Sequence, residues 1–282
     1  MITVGAYAKI NLYLDIEAKR TDGYHDILSV MQTVSLCDEI KIERTECGIE
    51  VKNEINIEKE RDLAYRAAAA FFAAAGVRGG ARIEIKKHIP MGAGLAGGSA
   101  DAAAVLRGLN EIYLSPLSED KLLGIALTLG SDVPFCTVGG TKAIRGRGEK
   151  IADMPKMPDC PIVIAIGDDH VSTPEQFSAL DREFNDFLEY KPQSDRIEAI
   201  SEAFSAGNAN IGDDLYNIFE ITARYSPEIK NIMKKNGACG TLMSGSGSSV
   251  FGIFRTDGDA ESAANELKSL GYRAFLCHPT EI

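Results

Sequence analysis

The stretch Pro90-Met-Gly-Ala-Gly-Leu-Ala-Gly-Gly-Ser-Ala-Asp101 decides the local fold around which the chain is organised. Before it, Arg82-Ile-Glu-Ile-Lys-Lys87 alternates apolar and charged residues, which is typical of a half-buried strand. After it, apolar residues recur at helical spacing at Ala102, Leu106, Leu109 and Tyr113. The pattern predicts a helix with Ser99 as its N-cap and Asp101 in its first turn.

Glycines make this stretch a candidate anion site. Four of them fall within seven residues, at Gly92, Gly94, Gly97 and Gly98. Between a strand and a helix N-terminus, such a loop directs unpaired backbone N–H groups towards one point, and the helix dipole adds partial positive charge. Because the glycines have no side chains, the backbone can approach a phosphate closely. The sequence therefore predicts a site for a nucleotide or another phosphate.

Other glycine-rich motifs fit this stretch less well. The spacing Gly92-x-Gly94-x-x-Gly97 matches the dinucleotide-binding fingerprint, but that motif needs an acidic residue about 20 residues further on, closing a second strand. Here the corresponding residues 116–120 are typical of a loop that begins a helix. No Gly-Lys-Ser/Thr follows, and the protein-kinase motifs His-Arg-Asp and Asp-Phe-Gly do not occur in the sequence. A flexible connection whose glycines only form tight turns is the structural alternative.

Composition narrows the class of protein. The chain has 282 residues, of which 45% are hydrophobic and 25% charged, as in a globular protein long enough for two domains. Its formal net charge of −11 argues against broad nucleic-acid binding and against attraction to an anionic membrane. An anionic ligand therefore needs local positive charge, for which Arg145 and Arg147 are candidates, although both could belong to a solvated hairpin.

Cysteine usage and apolar runs favour a cytoplasmic location. The six cysteines form no CxxC pair, and reduced thiols are the usual state of such residues in the cytosol. The N-terminus has no apolar block typical of a targeting segment. The most apolar run, residues 67–77, is too short to span a bilayer, and its spacing predicts a buried helix that ends at Gly76.

The first strand carries a pair of polar residues. Residues 4–17 alternate strictly, with one apolar face and a second face that carries Tyr7, Lys9, Asn11, Tyr13 and Asp15. Lys9 and Asn11 are therefore neighbours on that second face. A lysine on the outer face of a strand is usually solvated, so the alternation alone predicts an exposed Lys9.

A second chemically informative segment is Gly130-Ser-Asp-Val-Pro-Phe135, which follows a helix predicted over residues 118–129. Pro134 cannot continue a helix and biases Val133 towards extended backbone, so Asp132 is expected at a sharp corner. An aspartate in a turn commonly accepts hydrogen bonds from its own backbone. A carboxylate on a rigid corner near a phosphate loop can also act as a general base.

A domain boundary is predicted where three prolines fall within residues 155–161. The chain before it is β-rich, with a short hairpin expected over residues 47–57. After it, the apolar run Ile162–Ile166 predicts a strand buried on both faces, followed by helices near residues 174–189 and 197–206. A second Gly/Ser-rich loop precedes a strand within residues 241–254. The pattern predicts an α+β fold with domains at residues 1–155 and 156–282.

Four stretches, taken in order, resemble the GHMP family of small-molecule kinases. They are Ala8-Lys-Ile-Asn-Leu12, Asp22-Gly-Tyr-His25, residues 90–104 and Gly130-Ser-Asp-Val-Pro-Phe135, supported by Ser244-Gly-Ser-Gly-Ser-Ser-Val-Phe251. The resemblance covers nearly the whole chain. It implies the GHMP-kinase two-domain fold, with an N-terminal β-rich ATP-binding domain and a C-terminal mixed α+β domain on the substrate side. The Lys-Ile-Asn and Gly-Tyr-His motifs are most similar to members that act on a cytidine diphosphate-linked alcohol.

The activity that the resemblance implies is transfer of the ATP γ-phosphoryl group to an alcohol hydroxyl, with Mg²⁺. By position, Asp132 matches the family's base and Lys9 its catalytic partner. Elementary chemistry agrees, because an attacking hydroxyl must lose its proton and a nearby cation favours the developing alkoxide.

The resemblance also implies binding residues. The ATP phosphate loop is matched by Pro90, Met91, Gly92, Ala93, Gly94, Leu95, Ala96, Gly97, Gly98, Ser99 and Ala100. Ala100 stands where many relatives carry a second serine, a change that leaves the backbone cradle intact. Tyr24, His25 and Phe177 match positions that hold the cytosine by stacking and edge hydrogen bonds, and Asn11 matches the alcohol end.

Two other functions fit parts of the sequence. A homoserine or mevalonate kinase of the same family would share the loops but would have no use for Gly-Tyr-His. A catalytically inactive nucleotide-binding protein on this fold would normally have lost the lysine or the aspartate, whereas Lys9 and Asp132 are both present.

Overall fold

Two long strands form the centre of the first sheet. The computed structural model describes residues 1–53, 57–167, 172–223 and 227–282, and in it β1 (Ile2–Lys19) pairs antiparallel with β2 (His25–Thr45). The pairing shifts register at three points along β1, and such irregularities bend long strands. The strict alternation in residues 4–17 is thus confirmed as a strand, and it continues to Lys19.

The first sheet contains five further strands within the described residues. They are β3 (Gly48–Asn53), β4 (Gly80–Lys86), β5 (Thr141–Gly146), β6 (Lys150–Asp153) and, counted in chain order, β8 (Tyr216–Asn217). The strand order is β3-β4-β2-β1-β8, and β5 pairs with β6 and with the first half of β2. The expected hairpin over residues 47–57 is wrong, because β3 pairs in parallel with β4. Residues 54–56 of that stretch lie outside the described part.

Four helices from the first half of the chain pack together beside this sheet: α1 (Leu63–Ala75), α2 (Gly97–Ile112), α3 (Glu119–Leu129) and α4 (Val133–Val138). The helix α2 lies against β1 and β2 and is almost entirely buried. At Gly108 a Cβ atom would lie 2.5 Å from the Ile42 side chain, so the small residues of α2 allow its close approach to the sheet. The helix α1 ends at Gly76, as predicted, and that glycine lies in the left-handed region. The N-cap of α1 is Asp62, which was not predicted from the sequence.

The second sheet is antiparallel and has the order β11-β7-β10-β9. Its strands are β7 (Ile162–Ile166), β9 (Gly240–Met243), β10 (Ser249–Ile253) and β11 (Arg273–Cys277). The helices of this half are α5 (Thr173–Glu183), α6 (Asp195–Ser205), α7 (Glu228–Lys235) and α8 (Asp257–Ser269). Val163 packs with α7 and α8, whereas Ile164 joins the main core, so β7 is confirmed as a strand buried on both faces.

The α5 region differs from the prediction. The helix ends at Glu183, and a single 3₁₀ turn, Asn185–Phe187, follows where a continuous helix over residues 174–189 was expected. Residues 168–171, including the first residue of the segment that leads to Phe177, lie outside the described part. Among the residues that the structure describes, no helix is both long and apolar enough to cross a membrane.

The second face of β1 is buried, which the alternation could not predict. Lys9 is 4% exposed, and Asn11 and Asp15 are also buried. The cover comes from the second half of the chain: Tyr190 Oη and the Gln193 backbone N–H both donate to the Asp15 carboxylate, and the ring of Tyr216 lies against that of Tyr13. The prediction of a solvated Lys9 is therefore wrong, because long-range packing overrides the local pattern.

Candidate active site

The glycine-rich loop between β4 and α2 begins its helix earlier than predicted. Ala96, with φ of 58°, is the N-cap, and Gly97 is the first helical residue. Ser99 is therefore the third residue of the helix instead of its N-cap, and Asp101 lies beyond the first turn. The left-handed conformation at Ala96, following glycines at φ of 65° (Gly92) and 75° (Gly94), turns the chain into the helix.

The start of α2 leaves backbone donors unused. No side chain caps this helix end. Within the described part of the chain, the N–H groups of Gly97, Gly98 and Ser99 have no backbone acceptor, since the first intrahelical bond runs from Ala100 to Ala96. Three amides at the positive end of a helix, next to glycines without side chains, have the arrangement that the predicted anion site requires.

The second Gly/Ser loop supports the first. A Cβ atom at Gly94 would lie 2.1 Å from the carbonyl oxygen of Ser244, so no larger residue fits there without movement. The Ser249 N–H donates to the carbonyl of Ala93 at 3.1 Å, and Ser244 Oγ donates to the carbonyl of Gly94, also at 3.1 Å. The phosphate loop is therefore held from the C-terminal half of the chain.

Lys9 and Asp132 meet beside the phosphate loop. The Lys9 backbone N–H donates to the Leu95 carbonyl, and its Nζ lies 3.9 Å from Asp132 Oδ2. The same Nζ donates to Asn11 Oδ1 at 2.6 Å, and Asn11 Nδ2 donates to Ser29 Oγ at 2.9 Å. The ammonium group is thus fixed by buried partners, whereas the Asp132 side chain is 34% exposed to solvent.

Asp132 lies at the start of a short helix. It is the N-cap of α4, and Pro134 occupies the first turn, where a missing N–H costs nothing. The expected extended geometry at Val133 is therefore wrong. The Asp132 carboxylate makes no capping hydrogen bond to α4, which removes the interpretation that it only bonds its own backbone. It is left to face the cavity that it lines.

One cavity of about 810 Å³ brings most of the predicted site residues together. Its lining includes Lys9, Asn11, Tyr24, His25, Pro90, Gly92, Ala93, Gly94, Leu95, Ala96, Gly97, Gly98, Ser99, Asp132 and Phe177. Two members of the predicted phosphate loop are absent from this lining. Ala100 is buried behind the loop, and Met91 lines a separate cavity.

Aromatic rings form one end of the large cavity. The His25 and Phe177 rings are stacked with centroids 4.6 Å apart, and His25 Nε2 lies 2.6 Å from Asp181 Oδ1. Lys19 Nζ lies 2.9 Å from the other oxygen of Asp181. Burial alone would raise the pKa of Asp181, but hydrogen bonds from His25 and Lys19 outweigh it and hold that pKa below its usual range. Asp181 is therefore an ionised partner that orients the His25 ring.

The two arginines of the β5–β6 hairpin lie in different environments. The Arg147 guanidinium lies 3.9 Å above the centre of the Tyr24 ring and lines the large cavity. Its buried Nε has no hydrogen-bond partner among the described residues. Arg145, which is 54% exposed, pairs with Glu17 on the surface. Sequence reasoning could not choose between them, and it missed Asp181 because a single aspartate in a helix carries no motif.

A second cavity of about 260 Å³ lies across the phosphate loop from the first. The two cavities share Leu63, Gly92, Gly97 and Gly98 as lining. The remaining lining is half apolar and half polar: Ile57, Ala64, Ile85, Ile89 and Met91 on one side of that division, and Asn53, Arg61, Asp62, Lys87 and Asp101 on the other. The phosphate loop therefore forms a wall between a large mixed cavity and a smaller one.

Comparison with known proteins defines the class. The N-terminal domain of the GHMP kinases matches residues 62–140, and the C-terminal domain of the same kinases matches residues 194–273. The chain belongs to the GHMP kinase family, and it is an enzyme of the small-molecule kinase type.

Two relatives that are similar over most of the chain share one name. The chain is 45% identical over 271 residues to the 4-diphosphocytidyl-2-C-methyl-D-erythritol kinase of Caldicellulosiruptor bescii, covering 93% of each chain. It is 40% identical to the protein of that name from Desulfitobacterium hafniense, covering 98% of this chain and 95% of the relative.

Solved structures give the same picture. A crystal structure of 4-(cytidine 5'-diphospho)-2C-methyl-D-erythritol kinase matches 99% of this chain with a TM-score of 0.80 and 35% identity. The mevalonate kinase of Methanococcus jannaschii matches with a TM-score of 0.74 but only 14% identity, which shows a shared fold.

Proposed function

We propose that this enzyme transfers the γ-phosphoryl group of ATP to the 2-hydroxyl of 4-diphosphocytidyl-2-C-methyl-D-erythritol, giving the 2-phosphate and ADP, as a step of non-mevalonate isoprenoid precursor biosynthesis. The observation that carries the chemistry is the pair Lys9 and Asp132, 3.9 Å apart at the edge of the glycine-rich loop. The names of the relatives support the choice of substrate.

Each member of the pair has one role. The Asp132 carboxylate accepts the proton of the attacking 2-hydroxyl, since it is accessible in the cavity and makes no capping hydrogen bond. The Lys9 ammonium, held by Asn11, stabilises the negative charge that develops on the attacking oxygen. Asn11 faces the same oxygen region and orients the alcohol.

The loop holds the phosphates of ATP. The unused amides of residues 97–99 face the β- and γ-phosphates, so that the terminal group is presented to the hydroxyl in the large cavity. The adenosine end occupies the second cavity, which has both apolar and polar lining and shares the loop as a wall. Met91 then contacts the nucleoside, Pro90 lies on the side of the large cavity, and Ala100 supports the loop from below.

Magnesium fits this site as a companion of ATP. Mg²⁺ usually takes one or two protein oxygens and completes its shell with phosphate oxygens and water. Ser99 lines the cavity beside the loop, and its hydroxyl would be a protein ligand of the ion. In the described part of the chain, no group of three or more His, Cys, Asp or Glu could hold a metal. When bound, the ion neutralises phosphate charge.

The cytidine end occupies the aromatic part of the large cavity. Tyr24, His25 and Phe177 provide ring faces and edge hydrogen bonds for the base. Arg147, held over Tyr24, adds a positive charge for the diphosphate or a donor for the base. We assign the ATP-binding domain to residues 1–155 and the C-terminal domain to residues 156–282, with Phe177 contributed across that boundary.

The test is substrate choice in an assay of coupled ADP release. 4-Diphosphocytidyl-2-C-methyl-D-erythritol is compared with homoserine, mevalonate and galactose at equal concentration. We expect turnover with the cytidylyl substrate alone, and inhibition of that turnover by cytidine nucleotides. A preference for homoserine, mevalonate or galactose would replace the proposed substrate, and ATP binding without turnover of any alcohol would favour a non-catalytic nucleotide-binding protein.

A further inference from the structure

A buried cluster of three charged residues joins the two ends of the phosphate loop. Lys87, directly after β4, lies at the start of the loop, and its Nζ donates to Asp38 Oδ2 at 2.5 Å. The same Nζ donates to Asp101 Oδ2 at 2.6 Å. Asp101 lies in the second turn of α2, just past the end of the loop. One ammonium group therefore bridges a strand of the sheet, the start of the loop and the helix that follows it.

Asp38 holds the start of the loop through the backbone as well. Its Oδ1 accepts the N–H of His88 at 2.5 Å and the N–H of Ile89 at 2.8 Å. Together with Lys87, these contacts occupy three consecutive residues immediately before Pro90. Asp38 is fully buried on β2, a strand at the centre of the first sheet, and it lines neither cavity. The loop is therefore fixed to a buried position on a central strand of the first sheet.

The cluster is not built for stability alone. Two buried carboxylates share one lysine, and Asp101 Oδ1 is buried without a hydrogen-bond partner within the described residues. A buried oxygen without a partner usually costs stability, and each such group in a native protein calls for an explanation. Burial and the nearby Asp38 charge raise the pKa of Asp101 to about 7, against the opposing effect of Lys87. The explanation that we favour is that the loop must be held in one conformation, which requires Lys87 to contact Asp38 and Asp101 together.

We propose that Asp38 is a positioning residue for nucleotide binding, which acts through Lys87 and the backbone of residues 88–89 to set the conformation of the phosphate loop. The proposal rests on the loop being the ATP site. It does not depend on which alcohol is phosphorylated. Because an anion cradle binds phosphate through several amides at once, a small displacement of the loop weakens all of those hydrogen bonds together.

The main variant is Asp38→Asn. The asparagine Oδ1 can still accept from His88 and Ile89, but its Nδ2 cannot accept from Lys87, which is left with Asp101 as its one carboxylate. The matched control is Asp15→Asn. Asp15 is also fully buried, lies on the neighbouring strand β1 and accepts from four donors, none of which belongs to the phosphate loop.

Two measurements are made on the full chain. The first is the dissociation constant for ADP with Mg²⁺, by calorimetry. The second is amide hydrogen exchange of residues 89–98 in the free protein, which does not require the nucleotide to bind. For Asp38→Asn we expect ADP affinity about tenfold weaker and faster exchange in the loop. For Asp15→Asn we expect loss of stability with unchanged ADP affinity and unchanged loop exchange.

The outcomes separate the alternatives. A folded Asp38→Asn variant with wild-type ADP affinity and wild-type loop exchange would overturn the proposal. So would an Asp15→Asn variant that weakens ADP binding equally, since the effect would then follow from stability. If Asp38→Asn does not fold, Lys87→Gln removes the ammonium group that Asp38 holds and keeps the Asp38 contacts with the backbone of His88 and Ile89. Faster loop exchange in Lys87→Gln is expected, and wild-type loop exchange overturns the proposal. Faster loop exchange in a protein that binds no ADP would contradict the proposed function and leave the mechanical link intact.

Discussion

Lys9 Nζ and Asp132 Oδ2 lie 3.9 Å apart although 123 positions separate the two residues in the sequence. The distance is longer than that of a direct hydrogen bond, and the hydrogen bond that the Lys9 ammonium group makes at 2.6 Å goes to Asn11 Oδ1. A lysine and an aspartate in tight contact would neutralise each other. The observed spacing leaves room for an oxygen atom that both side chains can reach.

Removing the charge of Asp132 should affect the chemical step. For Asp132→Asn we expect turnover to fall on the order of 10²-fold or more with little change in ATP affinity, because the amide cannot accept the hydroxyl proton. Steady-state kinetics with the cytidylyl substrate and ADP calorimetry measure the two effects. Asp153→Asn, on an exposed carboxylate paired with Lys142, is the control. Near-normal turnover of Asp132→Asn would remove Asp132 as the base.

The contact between the two glycine-rich loops should tolerate no side chain at Gly94. Gly94→Ala places a Cβ atom 2.1 Å from the Ser244 carbonyl oxygen at a residue with φ of 75°. We expect a loss of stability on the order of 1–3 kcal/mol and a weakened ADP affinity. Urea unfolding and calorimetry provide the measurements.

The matched glycine control lies in α3. Gly124 is in a helix, and nothing lies within 4 Å of the position of an added Cβ. Gly124→Ala should therefore be neutral or stabilise the protein by up to about 1 kcal/mol. Equal stability losses for Gly94→Ala and Gly124→Ala would contradict the importance of the loop contact.

The two arginines of one hairpin allow a matched test of the cytidine end. Arg147→Ala removes the guanidinium held over Tyr24 in the cavity, whereas Arg145→Ala removes a surface pair with Glu17. For Arg147→Ala we expect the KM for the cytidylyl substrate to rise about tenfold with kcat nearly unchanged. The guanidinium group contacts the substrate equally in the ground state and in the transition state, so its loss weakens binding without slowing the chemical step. Arg145→Ala should behave as the wild type. A similar small effect in both variants would place the substrate elsewhere.

Stability should depend on pH through Asp101. Burial and Asp38 raise the pKa of Asp101 from 3.8 to about 7 in the folded chain. Between those two values the folded protein retains a proton that the unfolded chain has lost, so the contribution of this group to stability falls as the pH rises and is constant above about 7. Urea unfolding at about pH 5 and about pH 8 measures the effect as a difference between wild type and Asp101→Asn.

In that comparison the wild type should lose stability relative to Asp101→Asn as the pH rises, because asparagine does not titrate. A difference that is independent of pH would show that Asp101 titrates in its usual range. The result would also bear on the phosphate loop, since Lys87 can bind two carboxylates fully only when both are ionised.

Local pattern predicted most of the elements. The strand before the loop, the helix that ends at Gly76 and the doubly buried strand Ile162–Ile166 all follow from periodicity, and the structure confirms them. One error lies at a helix start. Ser99 has the chemistry of an N-cap, but the left-handed Ala96 begins the helix earlier, and a local pattern does not report a backbone conformation that the packing of two loops imposes.

The site was predicted less completely than the fold. Motifs selected Lys9, Asn11, Tyr24, His25 and Asp132, and the structure brings these residues to one cavity. The alternation in β1 gave the wrong exposure for Lys9, because the residues around it come from distant parts of the chain: Leu95 in the glycine-rich loop, Asp132, and Gly245 in the second loop. Asp38 and Asp181 belong to no motif, and only the assembled structure identifies them because their partners are distant in sequence. Arg147 was a candidate together with Arg145, and only the structure distinguishes the two.

The contact between Gly94 and Ser244 has a consequence for expressing the protein as two fragments. An N-terminal fragment that ends in the proline-rich segment would contain every glycine of the first loop, but it would lack Ser244 and Ser249, which contact Gly94 and Ala93. Such a fragment would contain the nucleotide-binding motif but would not bind a nucleotide. Co-expression of the two pieces, and neither one separately, would restore binding, so that the enzyme could serve as a reporter of reassembly.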